Sequence, residues 1–373
     1  MNEQPQVNEQ PQDELTHDPE GPVLLVGGYG TVGAELARMT ASRWPLLLAG
    51  RTVTRGEELA RETGARLIRW DLTAPQPVTA RVRAVVTVVN DPDDRVLRAA
   101  VRAGVPYVDL ARWTARVQRA ATVAALLRPT SPVLLSSAWM GGVTSLAVAD
   151  LAGSLGGADT VEVAIRWDQQ DRAGIDSVAF MDRLGLDFEV VENGRRRTVM
   201  PLADTRTVRV GAADLRVARI DTPEQFTLPL TLGTTTAVTR IGFSSAASTS
   251  ALLVAKRLGF FRWARGERFT AVRRSLLYAP GDGGTAALSV QVAHGGRTLT
   301  ATVTDPAGQA HLTAVGGALA LARVLGADGA PARAGVTFPE QTPLPHALAE
   351  RLAEYGVRLE TTATAGTGEE RAA

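Results

Sequence analysis

Val23 to Ala37 reads VLLVGGYGTVGAELA, and its glycines decide the fold. The apolar run Val23 to Val26 has the character of a buried strand, and Val32, Leu36 and Met39 recur behind it at helical spacing. Between them stand Gly28, Gly30 and Gly33, in the order G-x-G-x-x-G. At a strand-to-helix junction one glycine allows the turn, the next admits a pyrophosphate, and the third lets helix and strand pack closely. The helix N-terminus then offers unpaired N–H groups to the phosphates. Gly28, Tyr29, Gly30, Thr31, Val32 and Gly33 are therefore expected to hold a dinucleotide, with Tyr29 packed on the cofactor. The competing reading is a plain glycine turn.

Outward from this unit, short leucine or β-branched runs alternate with helical stretches. The runs end at Ala49, Asp71, Asp91, Ala111 and Ala138. This alternation predicts a Rossmann-type α/β fold, a doubly wound parallel sheet that binds ligands beyond the carboxyl ends of its strands. From Asp159 the texture changes to alternating segments with hairpin turns at Asn193-Gly194 and Gly295-Gly296, interrupted by helices near Ser248–Leu258 and Leu312–Leu325. The expected organisation is a disordered tail (1–20), a Rossmann domain (21–140), a mixed α+β substrate and dimerisation domain (141–360) and a second disordered tail (361–373). Helix 311–326 has the option of returning to the first domain.

The composition narrows the function. A length of 373 residues suits two domains, and 45 % apolar with 21 % charged residues suits a soluble globular protein. A net charge of +1 gives no general attraction to nucleic acid or to an anionic membrane. The uncharged stretch Pro129 to Ala149 is broken by prolines and Gly141-Gly142, so it does not read as a membrane span. There is no cysteine, which removes disulfides, thiolate metal sites and cysteine nucleophiles; no metal site is expected, and the cytoplasm is the expected location. Lys256 is the single lysine, and Leu252 stands four residues before it, so the Tyr-x-x-x-Lys pair of short-chain dehydrogenases is missing.

Cofactor choice is read about twenty residues beyond the fingerprint, where NAD enzymes carry a carboxylate that binds the ribose. Here the sequence is Gly50-Arg51-Thr52. An arginine and a hydroxyl match a 2′-phosphate, which points to NADP(H). Asp71 is placed either to bind the adenine amine or to cap a helix. Asn90 and Asp91 end the fourth strand, in the part of such a sheet that borders the ribose and nicotinamide.

These residues carry a resemblance. LVGGYGTVGAELA, LLLAGRT, VVNDPDDRVLRAAVRAGVPYVDLA, VLLSSAWMGGVTSLAVADLA and AGVTFPEQ are similar to the saccharopine dehydrogenase-like (saccharopine reductase-like) family, from about Gly21 to Leu359 and most strongly in the first 150 residues. The resemblance implies a Rossmann domain followed by a mixed domain that closes over the nicotinamide and helps form a homodimer. It also implies chemistry on C=N or C=O bonds of a small molecule. The family's PGL after the sixth strand is Met140-Gly141-Gly142-Val143 here, and no set of basic residues matches a saccharopine carboxylate clamp. The expected function is thus an NADPH-dependent reductase acting on something other than saccharopine. A redox-neutral NADP-dependent isomerase or cyclase and a non-catalytic NADP(H)-binding protein are the alternatives.

In the resembled family the end of the fifth strand lies next to the nicotinamide. Tyr107 and Asp109 share one face of that strand, because side chains alternate. Asp109 is expected to be the acid or iminium-stabilising carboxylate and Tyr107 a proton donor; the alternative is a helix cap with a core tyrosine. Arg112, Trp113, Trp139, Met140, Asp168 and His311 are candidates for the substrate pocket.

Overall fold

The computed structural model describes residues 13–168, 170, 171, 183–263, 281, 283–342, 344 and 347–364. Two seven-stranded sheets organise them.

The first sheet is wholly parallel and runs, in space, β17 (Gly335–Thr337), β8 (Pro132–Leu135), β7 (Tyr107–Asp109), β6 (Ala84–Thr87), β2 (Val23–Val26), β3 (Leu46–Gly50) and β4 (Arg66–Arg69). Its strands read as continuous apolar runs because both faces are covered. In β2, Leu24 and Val26 join a core with α3 (Arg95–Arg102) and α4 (Thr114–Leu127). Val23 and Leu25 point the other way, into a core with α1 (Thr31–Thr40), α2 (Glu57–Thr63) and a late helix, Gln309–Val324. Leu24 and Leu25 have no exposure at all, and each such burial is worth about 2 kcal/mol. Ala49, Val26, Thr87, Asp109 and Leu135 pair across neighbouring strands, so the strands end nearly flush and present one carboxyl edge.

α5 (Val143–Leu155) leads into the second sheet, ordered β12 (Arg206–Val210), β13 (Ala213–Arg219), β14 (Thr236–Phe243), β9 (Thr160–Trp167), β15 (Ala286–His294), β16 (Arg297–Asp305) and β18 (Arg358–Thr364). Only β14 and β9 pair in parallel. Along β9 every second residue, Val161, Val163, Ile165 and Trp167, is buried in the core with α5. A separate hairpin, β10 (Phe188–Glu192) with β11 (Arg195–Val199), turns at Asn193-Gly194, and β15 turns into β16 at Gly295-Gly296. Both sites are the two-residue turns that the sequence signals.

The domain limits differ from the sequence expectation at both tails and at β17. Glu14–His17 is not tail: it forms β1, paired in parallel with β5 (Thr79–Val82), and Asp13 accepts from the Arg95 guanidinium at 2.8 Å. Residues 1–12 lie outside the described residues. Thr361–Thr364 complete β18 on the edge of the second sheet, and 365–373 lie outside the described residues. Within 141–360 the chain goes back to the first domain twice, through the helix Gln309–Val324 and through β17. The helix is buried along nearly its whole length, which follows from alanines and glycines where a surface helix would be polar. No helix among the described residues is long and apolar enough to cross a membrane.

Candidate active site

The glycine run occupies the centre of the carboxyl edge, between β2 and α1. Gly27, with φ +83°, is the residue that makes the turn, one position earlier than the spacing suggests. A Cβ on Gly28 would stand 2.8 Å from the Leu25 carbonyl, and one on Gly33 would stand 2.3 Å from the Gly27 carbonyl. Both glycines are demanded by packing. Gly30 is different: its backbone is extended (φ −77°, ψ 177°), it is exposed, and a Cβ there would meet a single atom, the Gly27 carbonyl at 3.3 Å. No side chain caps α1, and no acidic residue stands in its first turn. The open ground before Gly30 and the uncapped N–H groups fit a pyrophosphate. Beside it, Thr87 Oγ1 and Asn90 Oδ1 are enclosed without a hydrogen bond, as expected where a bound ribose or amide supplies the partner.

At the end of β3, Arg51 and Thr52 are exposed. The nearby Asp71 carboxylate accepts from Thr73 N–H (3.0 Å) and Thr73 Oγ1 (2.8 Å). These bonds hold its carboxyl below the ordinary range. Asp71 therefore shapes the turn after β4 and caps no helix.

The end of β7 is closed. Tyr107 and Asp109 do share a face, and Tyr107 Oη donates to Asp109 Oδ2 at 2.6 Å. Arg112 Nε donates to the same oxygen at 2.6 Å, while Ser137 Oγ (2.8 Å) and Ala111 N–H (3.2 Å) reach Oδ1. The Arg112 guanidinium also bonds Asp94 and, at 3.5 Å, Asp91. Asp91 in turn accepts from Arg95 N–H (2.9 Å) and Val96 N–H (3.0 Å), which makes it the cap of α3, and burial pushes its carboxyl up. Tyr107 and Asp109 have no exposure, and burial raises the phenol well above its usual range. Direct contact with a substrate, expected for both, is at odds with that enclosure. The network instead ties together the loops after β6, β7 and β8.

Met140 and the two glycines after it form a left-handed run, with φ values of +55°, +62° and +94°. This loop is packed against the late helix: a Cβ on Gly141 would lie 2.4 Å from the Thr313 carbonyl, and one on Gly316 2.5 Å from the Gly141 carbonyl. Met140 is buried under that contact, so it does not line an open pocket. Trp139 packs against Trp167 with ring centroids 6.1 Å apart and planes tilted by 59°, and Trp113 carries the guanidinium of Arg183 5.1 Å from its ring centre. Arg183 pairs with Asp221, which accepts from Thr114 Oγ1 at 2.5 Å. Trp113 and Trp139 thus join the first domain to the second.

His311 opens the late helix. That helix runs alongside α1 in the same direction: a Cβ on Gly317 would come within 3.4 Å of Leu36, and Arg43, beyond α1, bonds the Ala327 carbonyl beyond the late helix. Six residues before Gly317, about 9 Å along the axis, His311 lies at the end of that helix toward the start of α1, within reach of the Glu35 charge. Its Nδ1 is 2.7 Å from Oδ2 of Asp305, a buried carboxylate that raises the imidazole pKa. Asp171, also buried, accepts from Gln309 N–H at 2.7 Å and holds the helix start. Asp168 is half-buried in the same region; it accepts from Gln170 N–H at 3.2 Å, and a Cβ on Gly284 would lie 3.0 Å from both Asp168 and Asp171.

One buried cluster has no signal in the sequence. Glu224, in α6 (Glu224–Leu232), accepts from Trp139 N–H at 3.3 Å, and Glu340 accepts from Thr231 Oγ1 at 3.0 Å. Each keeps one carboxyl oxygen without a hydrogen bond. Burial, with a small contribution from the Glu340 charge, pushes Glu224 up to about 7, and burial raises Glu340.

No protein-family model matches the sequence, and no match is found among curated proteins. Solved structures do match. Apo saccharopine dehydrogenase (L-Glu forming) from Saccharomyces cerevisiae aligns over 92 % of this chain and 100 % of its own, with a TM-score of 0.63 at 14 % identity. Scyllo-inositol dehydrogenase from Lactobacillus casei, solved with NAD(H) and scyllo-inositol, covers 91 % and 98 % with a TM-score of 0.42 at 11 % identity. A probable dehydrogenase from Thermotoga maritima covers 90 % and 98 % with 0.40 at 11 %. The last two superpose too loosely to relate residues. The chain has the two-domain fold of saccharopine dehydrogenase, a Rossmann domain followed by a mixed α/β domain, in agreement with the resemblance carried by its motifs.

Proposed function

We propose that this protein is an NADP(H)-dependent oxidoreductase that reduces a C=N or C=O bond of a small molecule, working as a homodimer. The observation that carries the reading is Gly30, exposed at the mouth of an uncapped helix, with a backbone conformation open to any residue and a Cβ there meeting the protein only at the Gly27 carbonyl, 3.3 Å away. A bound pyrophosphate accounts for it. Arg51 and Thr52, at a strand end that carries no carboxylate of its own, suit the extra phosphate of NADP.

Reduced nicotinamide supplies the hydride to the substrate carbon when bound. The nitrogen or oxygen of the reduced bond must then take a proton. His311 suits that task better than Asp109: it is part-exposed, it stands at the start of the helix that packs on α1, and Asp305 holds its Nδ1, which leaves Nε2 as the proton donor. Asp109 and Tyr107 are assigned to positioning, through Ser137 and Arg112, of the loops that surround the site.

Titration calorimetry with NADPH and NADH tests the cofactor. Wild type should bind NADPH the more tightly, Arg51→Ala should lose NADPH affinity while NADH affinity stays, and folded Gly30→Val should bind neither. Tight binding by Gly30→Val refutes the dinucleotide site; equal losses for both cofactors in Arg51→Ala refute the choice of NADP. Loss of NADPH absorbance across a panel of carbonyl compounds with amines then finds the substrate.

A further inference from the structure

Tyr29 does not project from the glycine loop into solvent. Its ring lies across the end of β3. A Cβ built on Gly50 would stand 2.3 Å from Tyr29 Oη and 2.4 Å from Cζ, and one on Gly56 would stand 2.7 Å from Cδ1 of the same ring. Neither glycine has a left-handed backbone; Gly56 has φ −98°. A side chain at either position has to displace the ring, and at Gly56 Leu67 as well.

Gly50 is the last residue of β3, the place from which a carboxylate reaches the ribose hydroxyls in sites that take the unphosphorylated dinucleotide. The ring fills the space such a side chain needs for its first atoms. Arg51 and Arg55 are exposed and close enough for their charges to act on the tyrosine hydroxyl; Arg51 also acts on the Asp71 carboxylate, and neither arginine forms an ion pair among the described residues. The edge of the site is therefore sterically closed to an acid and electrostatically open to an anion.

We propose that Tyr29, interlocked with Gly50 and Gly56, is a specificity-determining residue: it bars a carboxylate from the end of β3, and so leaves Arg51 and Arg55 to select a ribose bearing a 2′-phosphate. The inference rests on the NADP reading above and adds the residue that enforces it.

A four-protein cycle of the full chain tests it: wild type, Tyr29→Ala, Gly50→Asp and the double variant, each titrated calorimetrically with NADPH and NADH. Tyr29→Ala should keep a preference for NADPH, because both arginines remain. Gly50→Asp should weaken both cofactors, since its side chain collides with the ring. The double variant should reverse the preference, with the NADPH-to-NADH affinity ratio moving at least tenfold beyond the product of the single effects. Reversal by Gly50→Asp alone overturns the interlock and leaves the NADP reading intact. A wild type without preference overturns both. The interlock is also read without cofactor: Gly50→Ala should lower the melting temperature in wild type and leave it unchanged in Tyr29→Ala. Equal lowering in both backgrounds overturns the proposal.

Discussion

His311 shows how one residue acquires a role from its setting. Alone it is an ordinary histidine at a helix start; with Asp305 on Nδ1 its protonated form is favoured and its pKa rises. For reduction the protonated form is the useful one. The rate should hold below the raised pKa and fall as pH rises through it. Asp305→Asn should move that fall toward lower pH, and His311→Gln should remove it while lowering turnover about tenfold to thousandfold, with NADPH affinity unchanged. A His311→Gln enzyme with an unaltered pH profile would assign the proton elsewhere. The glycine loop was legible in sequence because its demands are local: a turn, a close packing and an approach within seven residues. The placing of His311 was not, because it depends on a late helix lying against α1.

At the scale of elements, the carboxyl edge of the first sheet is held together by charge. Asp109 at the end of β7 and Asp91 and Asp94 after β6 converge on Arg112, Ser137 after β8 joins them through Asp109, and the side chains of Arg112 and the three aspartates are at most 1 % exposed. Asp109 accepts from Tyr107 and Arg112 on one oxygen and from Ser137 and the Ala111 N–H on the other, and an asparagine turns an NH2 toward one of these pairs, leaving buried donors without an acceptor. Asp109→Asn should therefore cost about 3 kcal/mol in stability, measured by urea unfolding. The rate per folded molecule should change little. A stable Asp109→Asn protein with turnover reduced a hundredfold would restore Asp109 as the chemical acid. The alternation of β7 predicted correctly that Tyr107 and Asp109 face the same way. It could not tell that Arg112 and Ser137 close over them, since enclosure is set by elements that meet only in the folded sheet. The Met140 loop was hidden for the same reason: its glycines answer to Thr313 and Gly316 on the late helix, whose return to the first domain was left open in the sequence.

For the whole molecule, the consequential feature is the carboxyl pair at the junction of the domains. Glu224 lies on a helix of the second domain, and Glu340 in the turn that follows β17 of the first sheet. Between them stand the Trp139 loop and the hydroxyls of Ser145, Thr227 and Thr231, and no cation is paired with either carboxyl among the described residues. Two buried acids in this setting are stable when they retain protons. In the unfolded chain Glu224 loses its proton near 4.5, whereas in the folded protein it does so at about 7. Between those values the folded state binds more protons than the unfolded state, so stability falls as pH rises from about 4.5 to about 7 and then levels off. The full displacement is worth on the order of 3 kcal/mol. Asp91 and Asp150, raised by burial, act in the same sense, so the pair is isolated by difference against a variant. Glu224→Gln keeps an acceptor for the Trp139 N–H and removes the ionisable group. It should be more stable than wild type at pH 8, by on the order of 1–3 kcal/mol, and no more stable at pH 4.5. Urea unfolding across that range decides the matter: a difference between the two proteins that does not change with pH would mean that Glu224 is ionised in the fold, with its charge met by a partner other than a proton.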